Sequence, residues 1–271
     1  MKHKSWAFPY SIWMVIFIAV PLLLVAYYAF TDEERRFTID NISRVGEFTP
    51  VLMRSLWLAA IATVICLLLA YPLSYMISRM LGSRRRTLLM LTILPMWMNF
   101  LLRTYAWMTL LENNGVINRV LGWVGLGPFQ MINTQGAVVL GMVYNYLPFM
   151  ILPLYSIMTK IDATTIEAAR DLGANSLGVF GRILLPLSMP GIKTGITMVF
   201  VPAVSTFIIS RMLGGGGNLL IGDLIDLQFL GNAYNPNLGS AISLVLMIFI
   251  LLFMSIFNQF GDEEEMEGSL L

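Results

Sequence analysis

GAVVLGMVYNYLPFMILPLYSIMTK, Gly136 to Lys160, runs directly into IDATTIEAARDLGANSLGVFGRILLP, Ile161 to Pro186, and the change of texture between the two decides the fold. The first part carries no charge before Lys160. It is long enough to cross a bilayer core, which takes about 20 mostly apolar residues. The second part is polar enough to leave the bilayer, yet it is patterned. Asp162 can cap a short helix carrying Glu167, Ala168 and Ala169, Gly173 can end it, and Asn175 or Ser176 can start the next. Two short helices meeting at a glycine are therefore expected. Ile166, Ala169 and Leu172 give the first helix an apolar stripe, and its alanines leave room for a partner surface to come close. A loop built this way has the form of a docking knob.

Outward from this segment the same charge-free texture recurs at Ser5–Thr31, Ser55–Ser78, Val120–Thr159, Thr194–Ser210 and Leu227–Gly261. A further stretch, Leu88 to Leu111, is interrupted only by Arg103. These lengths predict an all-α, polytopic membrane protein with six spans near 9–30, 52–78, 88–111, 136–158, 187–211 and 239–259. The intervening segments are too short for a soluble domain, so residues 1–271 read as one membrane domain. The first apolar core, Phe8 to Phe30, is longer than a signal's h-region and no small-residue cleavage site follows it, which predicts a retained span.

Composition agrees and excludes much. Of 271 residues 57% are apolar and 12% charged, against about 25% charged in an ordinary soluble domain. Lys and Arg number 17 against 16 Asp and Glu, which leaves no basic field for nucleic acid. Cys66 is the only cysteine and His3 the only histidine, so an intramolecular disulfide, multi-cysteine metal frameworks and histidine relays are excluded. No nucleophile and base stand out, which counts against a membrane enzyme.

Basic residues in short loops favour the cytoplasmic side. One side collects Lys2, Lys4, Arg79, Arg84, Arg85, Arg86, Lys160, Arg170 and Arg182; the other holds Arg35, Arg36, Arg44 and Arg119, with Arg54 and Arg211 at its boundary. Both termini are expected in the cytoplasm, with the acidic run Asp262–Glu265 a solvated tail. Pro72, Pro95, Pro148, Pro153, Pro190 and Pro202 fall within spans, where each frees a carbonyl that protein or water must satisfy. They suit either bent helices around a wet pathway or ordinary kinking.

Glu167-Ala168-Ala169, Gly173 after three residues, then nine residues to Ile183 and on to Leu185-Pro186, resembles the EAA loop of type I, MetI-like ABC-importer permeases. Three further stretches are similar to the B-type permease subunit of spermidine/putrescine transporters. They are Leu94-Pro95-Met96-Trp97-Met98-Asn99 with Leu102-Arg103-Thr104-Tyr105-Ala106-Trp107, Tyr144 to Pro153, and Leu219 to Ile225 with Gln228-Phe229. The resemblance implies a multi-pass permease of the bacterial cell membrane, coupled through Glu167, Ala168, Ala169, Gly173, Ile183, Leu185 and Pro186 to a cytoplasmic ATPase present in two copies. It also implies a second, related permease chain and an external polyamine-binding protein. The chain has no Gly-Lys dipeptide and hence no Walker A loop, so ATP and its magnesium belong to the partner and no cofactor is expected here.

A polycation needs carboxylates and aromatic faces along its route. Trp97, Tyr105, Trp107, Glu112, Tyr144, Tyr146, Asp223 and Asp226 are the pathway candidates, with an interfacial aromatic belt and solvated acids as the competing reading. Arg103, inside a span, calls for a partner such as Glu112 or another subunit, and Arg211 can simply reach the interface. The segment Gly214–Asn237, with four consecutive glycines for freedom and Asp223 and Asp226 three residues apart, is expected to form the pathway's entrance. An ABC permease for another small solute remains open, as does a secondary transporter or channel that would leave the EAA pattern without a role.

Overall fold

The computed structural model describes residues 8–231 and 233–268, with side chains from 10 to 231 and from 233 to 257. Lys2, His3 and Lys4 lie outside the described residues, as do the side chains of Asp262–Glu265. Among the described residues the chain is helical between its loops, with one isolated antiparallel bridge between Thr31 and Phe37.

The order is α1 (Phe8–Met14), a π turn (Val15–Ala19) and α2 (Val20–Ala29), followed by α3 (Asp40–Val45) and α4 (Thr49–Arg79). Next come α5 (Gly82–Trp97), α6 (Phe100–Leu111) and α7 (Val116–Trp123). The central helix α8 (Gln135–Met158) leads to the short α9 (Ala163–Asp171) and α10 (Ser176–Val179). The chain ends with α11 (Leu185–Val204), α12 (Ile208–Leu213), α13 (Ile221–Leu230) and α14 (Pro236–Gly268). Among the described residues five helical stretches are long and apolar enough to cross a membrane, and the pair α5 and α6–α7 brings the number to six if it counts as one bent span.

Helix α8 packs against α4 on one side and α11 on the other. Lipid is as apolar as leucine, so helices in a membrane associate through close packing of small residues rather than through exclusion of water. Ala59, Ala62, Cys66 and Ala70 form such a seam on α4, all fully buried, against Val138, Met142, Met150 and Leu154 of α8. On α11 the closest approach is at Gly195, where an added Cβ would stand 2.5 Å from the Met150 sulfur. The α1–α2 stretch is peripheral. It rests on α14 and buries only Ala29, leaving Phe17 and Leu23 outward, as a lipid-facing helix does.

Two of the expected spans are broken. The stretch expected at 88–111 is divided into α5 and α6, with α6–α7 turned 92° from α5. Pro95 weakens the end of α5, and the Asn99 side chain accepts from the amides of Leu101 and Leu102 at 2.9 and 3.3 Å, which starts a new helix. The stretch expected at 187–211 ends at Val204 and resumes as α12. Pro202 supplies no amide there, and the Ser205 hydroxyl donates to the Val201 carbonyl at 3.2 Å.

Candidate functional site

The polar loop folds as two short helices joined at a glycine. The Asp162 carboxylate accepts from the Thr164 amide at 3.4 Å, and the Asn175 side chain accepts from the Gly178 amide at 2.8 Å, so each helix begins on its own cap. Between them Gly173 adopts φ +84°, and the Ala174 amide reaches back to the Ala169 carbonyl at 3.0 Å. This is the left-handed stop that glycine allows at little cost.

The apolar stripe of α9 is divided between two tasks. Ile166 is buried with Ile161, Val179 and Leu184, and Ala169, Ala174 and Tyr75 pack around them. Arg79, at the end of α4, donates to the Ile161 carbonyl at 3.1 Å. The loop is therefore clamped onto α4 and the start of α11. Leu172, which the sequence places on the same stripe, is 89% exposed instead, and Leu177 across the elbow is 80% exposed. Glu167, Ala168 and Pro186 are also exposed, while Ile183 and Leu185 are half-buried. The result is an anchored base with an apolar tip.

A second cluster gathers at the α5–α6 bend. Arg103 does not reach Glu112, which is exposed at the end of α6. Its guanidinium donates to the Pro95 carbonyl and lies 5.7 Å from the Phe100 ring centre and 5.9 Å from that of Tyr144. Trp107 meets Tyr144 edge-on, with ring centres 5.3 Å apart. Arg103 thus ties the bend and occupies one aromatic candidate. Trp97 and Tyr105 point outward, and Tyr146 lies elsewhere, its hydroxyl donating to the Pro202 carbonyl at 3.3 Å.

The third cluster lies at the opposite end of α8 from the loop. Asp223, fully buried, accepts from the Leu220 amide at 2.8 Å and caps α13. Arg211 places its Nε 3.8 Å from Asp223 and its Nη2 on Asp226, joining α12 to α13. Burial pushes the Asp223 carboxyl above its ordinary value of 3.8, with the Ser210 hydroxyl, the Leu220 amide and Arg211 opposing the shift. The glycine run is pinned, contrary to the freedom its composition suggests. Asn218 donates to the carbonyls of Asn133 and Gly214, Arg54 donates to that of Gly217, and Gly215, at φ +63°, would drive a Cβ to 2.9 Å from Asn133. Sequence reasoning named Arg211 and Arg54 only as boundary charges, without these partners, and missed Asn133 and Leu177. Only Leu177, apolar beside a cap in a polar loop, carried a local signal.

Residues 70–262 match the family described as the binding-protein-dependent transport system inner membrane component. The chain belongs to this family. It is 39% identical over 255 residues to the spermidine/putrescine transport system permease protein PotB of Escherichia coli K12, covering 90% of this chain and 92% of that one. The Haemophilus influenzae protein of the same name is 40% identical, with 90% and 89% covered. The E. coli inner membrane ABC transporter permease protein YdcU is 29% identical, with 89% and 82% covered. Among solved structures, a bacterial ABC transporter that imports alginate superposes with a TM-score of 0.81 at 18% identity, covering 96% of this chain and 94% of that chain. That likeness shows the permease fold. The chain is accordingly a multi-pass permease of the inner membrane, and the Glu167–Pro186 pattern lies within the matched region.

Proposed function

We propose that this permease imports polyamines, spermidine or putrescine, as one subunit of an ATP-driven complex. It works with two copies of a cytoplasmic ATPase, a second permease chain and an external polyamine-binding protein. The α9–α10 loop and both termini lie in the cytoplasm, in keeping with the basic residues gathered at that end. The observation that carries the coupling role is the loop's construction: an apolar tip at Leu172 and Leu177 on a base clamped to α4 and α11. Motion of the ATPase against the tip is delivered through Ile166, Ile161 and Leu184 to the two helices that enclose α8. A tip on a loose loop would dissipate the same motion. Identity to spermidine/putrescine permeases over most of the chain supports the substrate.

A second reading, the same machine carrying another small solute, is favoured by Arg103, whose cation already lies against Tyr144. Uptake of labelled spermidine, putrescine and unrelated solutes by cells expressing this chain with its ATPase, second permease and binding protein separates the two. The topology is tested in a Cys66→Ala background: Ala168→Cys should react with an impermeant maleimide only from the cytoplasmic side. Reaction from outside overturns the docking role.

A further inference from the structure

One face of α5 is used by neither the loop, the aromatic cluster nor the acidic cluster. Gly82, Arg85, Arg86, Leu89, Met90 and Ile93 line a groove of about 300 Å³ there. Their spacing of three and four residues places them along a single helical face. At a rise of about 1.5 Å per residue, the stripe from Gly82 to Ile93 is about 16 Å long. One leaflet contributes half of a hydrocarbon core about 30 Å thick. The stripe therefore matches one leaflet in length, with its charge confined to one end.

At that end Arg84, Arg85 and Arg86 stand together, and the first turn of α5 contains no acidic residue. Arg85 is pre-positioned: its Nε donates to the Tyr155 hydroxyl and its guanidinium lies 5.2 Å from the centre of that ring. The rest of its fork remains available beside the exposed Arg86. Below them Leu89 and Ile93 are half-buried, and Met90 is 62% exposed.

We propose that this groove binds one anionic phospholipid, with its phosphate on Arg85 and Arg86 and an acyl chain along Leu89, Met90 and Ile93. Guanidinium forks match phosphate oxygens in pairs, and basic residues at membrane depth select anionic headgroups. A free phosphate would use only the head of the groove. The leaflet-long apolar floor is what specifies a lipid. This site is independent of the transported solute.

Native mass spectrometry of the full-length chain, purified in mild detergent and offered equal phosphatidylglycerol and phosphatidylcholine, tests it. The wild type should retain phosphatidylglycerol preferentially. With each basic residue near a membrane surface contributing roughly a fivefold preference, Arg85→Gln with Arg86→Gln should reduce it about thirtyfold. Arg85→Lys with Arg86→Lys should keep most of it, and Arg36→Gln in the loop after α2 should change nothing. An excess of glycerol phosphate should not displace the lipid, a result that needs no variant to fold. Equal retention of the two lipids by the wild type, displacement by glycerol phosphate, or undiminished preference in the Gln pair would each overturn the proposal. So would a Gln pair that retains the lipid normally but no longer holds the ATPase, because the patch would then serve a protein.

Discussion

Gly173 is the position where a substitution separates handedness of the backbone from space. A Cβ there meets nothing within 4 Å, so Ala, Asn and Val all have room. What they meet is φ +84°, a left-handed backbone that costs an L-residue about 1–2 kcal/mol, most for a β-branched side chain and least for Asn. The elbow can relieve this strain only by giving up its closing bonds, from the Ala174 amide to the Ala169 carbonyl at 3.0 Å and from the Gly173 amide to the Arg170 carbonyl at 2.9 Å. At about 1 kcal/mol, Gly173→Ala should reduce protection of the Ala174 amide about fivefold, and at about 2 kcal/mol Gly173→Val should reduce it about thirtyfold. Gly173→Asn should fall well short of either.

Amide hydrogen exchange on the purified chain reads this directly, with Gly181→Ala, where the Cβ is equally free and φ is not positive, as the inert control. In the assembled transporter the same rank order should appear in the ratio of ATP hydrolysed to solute imported, because an elbow that unwinds moves Leu172 relative to Leu177. Native protection in Gly173→Val would refute the handedness argument. Equal losses for Ala, Asn and Val would do so too, since contact or general loosening does not distinguish Asn from Ala.

Burial raises the Asp223 carboxyl above 3.8, so the folded chain holds that proton more tightly than the unfolded chain; ionisation costs stability as pH rises through the raised value, with Arg211 and Asp226 facing the group. The melting temperature of wild type should therefore fall relative to that of Asp223→Asn as pH rises above the ordinary carboxyl value of 3.8, and parallel curves would contradict this. Gly222→Ala should lower the melting temperature sharply, because its Cβ would lie 2.5 Å from the Ser205 carbonyl oxygen and 2.6 Å from that of Thr206, whereas Gly216→Ala, with nothing within 4 Å, should leave it unchanged. Arg103→Gln removes a charged bond worth about 1.5–3 kcal/mol from the α5–α6 bend, and spin labels on Met90 and Met108 should report a broader distance distribution; an unchanged one would show that Asn99 alone holds the turn.

The helical, multi-span architecture was legible because missing charge is a long-window property that tertiary contacts do not alter. The bend at Asn99 was less legible for the same reason: averaging across Leu88–Leu111 hides a short local grammar in which Pro95 weakens the last turn of one helix and Asn99 caps the next. The loop was read correctly at its caps and its glycine, all of which act within a few residues. Its stripe was not, because Ile166 and Leu172 are equivalent in periodicity and only Val179, Leu184 and Tyr75 make one of them core. The glycine run was misread for a related reason. Glycine permits both freedom and close approach, and the partners that choose between them here, Asn133 and Arg54, are distant in the chain.

The acidic pair shows why charge cannot be assigned to a pathway residue by residue. Asp223 and Asp226, read alone, are two unit charges at an entrance; with Arg211 bound to both, the cluster carries a net charge of about −1, and its field is screened within about 10 Å at ordinary salt. Replacing both aspartates does not therefore empty the entrance of charge. It leaves Arg211 uncompensated, changing −1 to +1, and gives the Leu220 amide a neutral amide oxygen in place of the Asp223 carboxylate. Loss of uptake in such a variant would follow from repulsion or from a loosened helix as readily as from a lost substrate contact. Arg211→Gln with Asp226→Asn keeps both the cap and the net charge of −1. Uptake in that pair, set against Arg211→Gln alone, reads what Asp226 itself contributes.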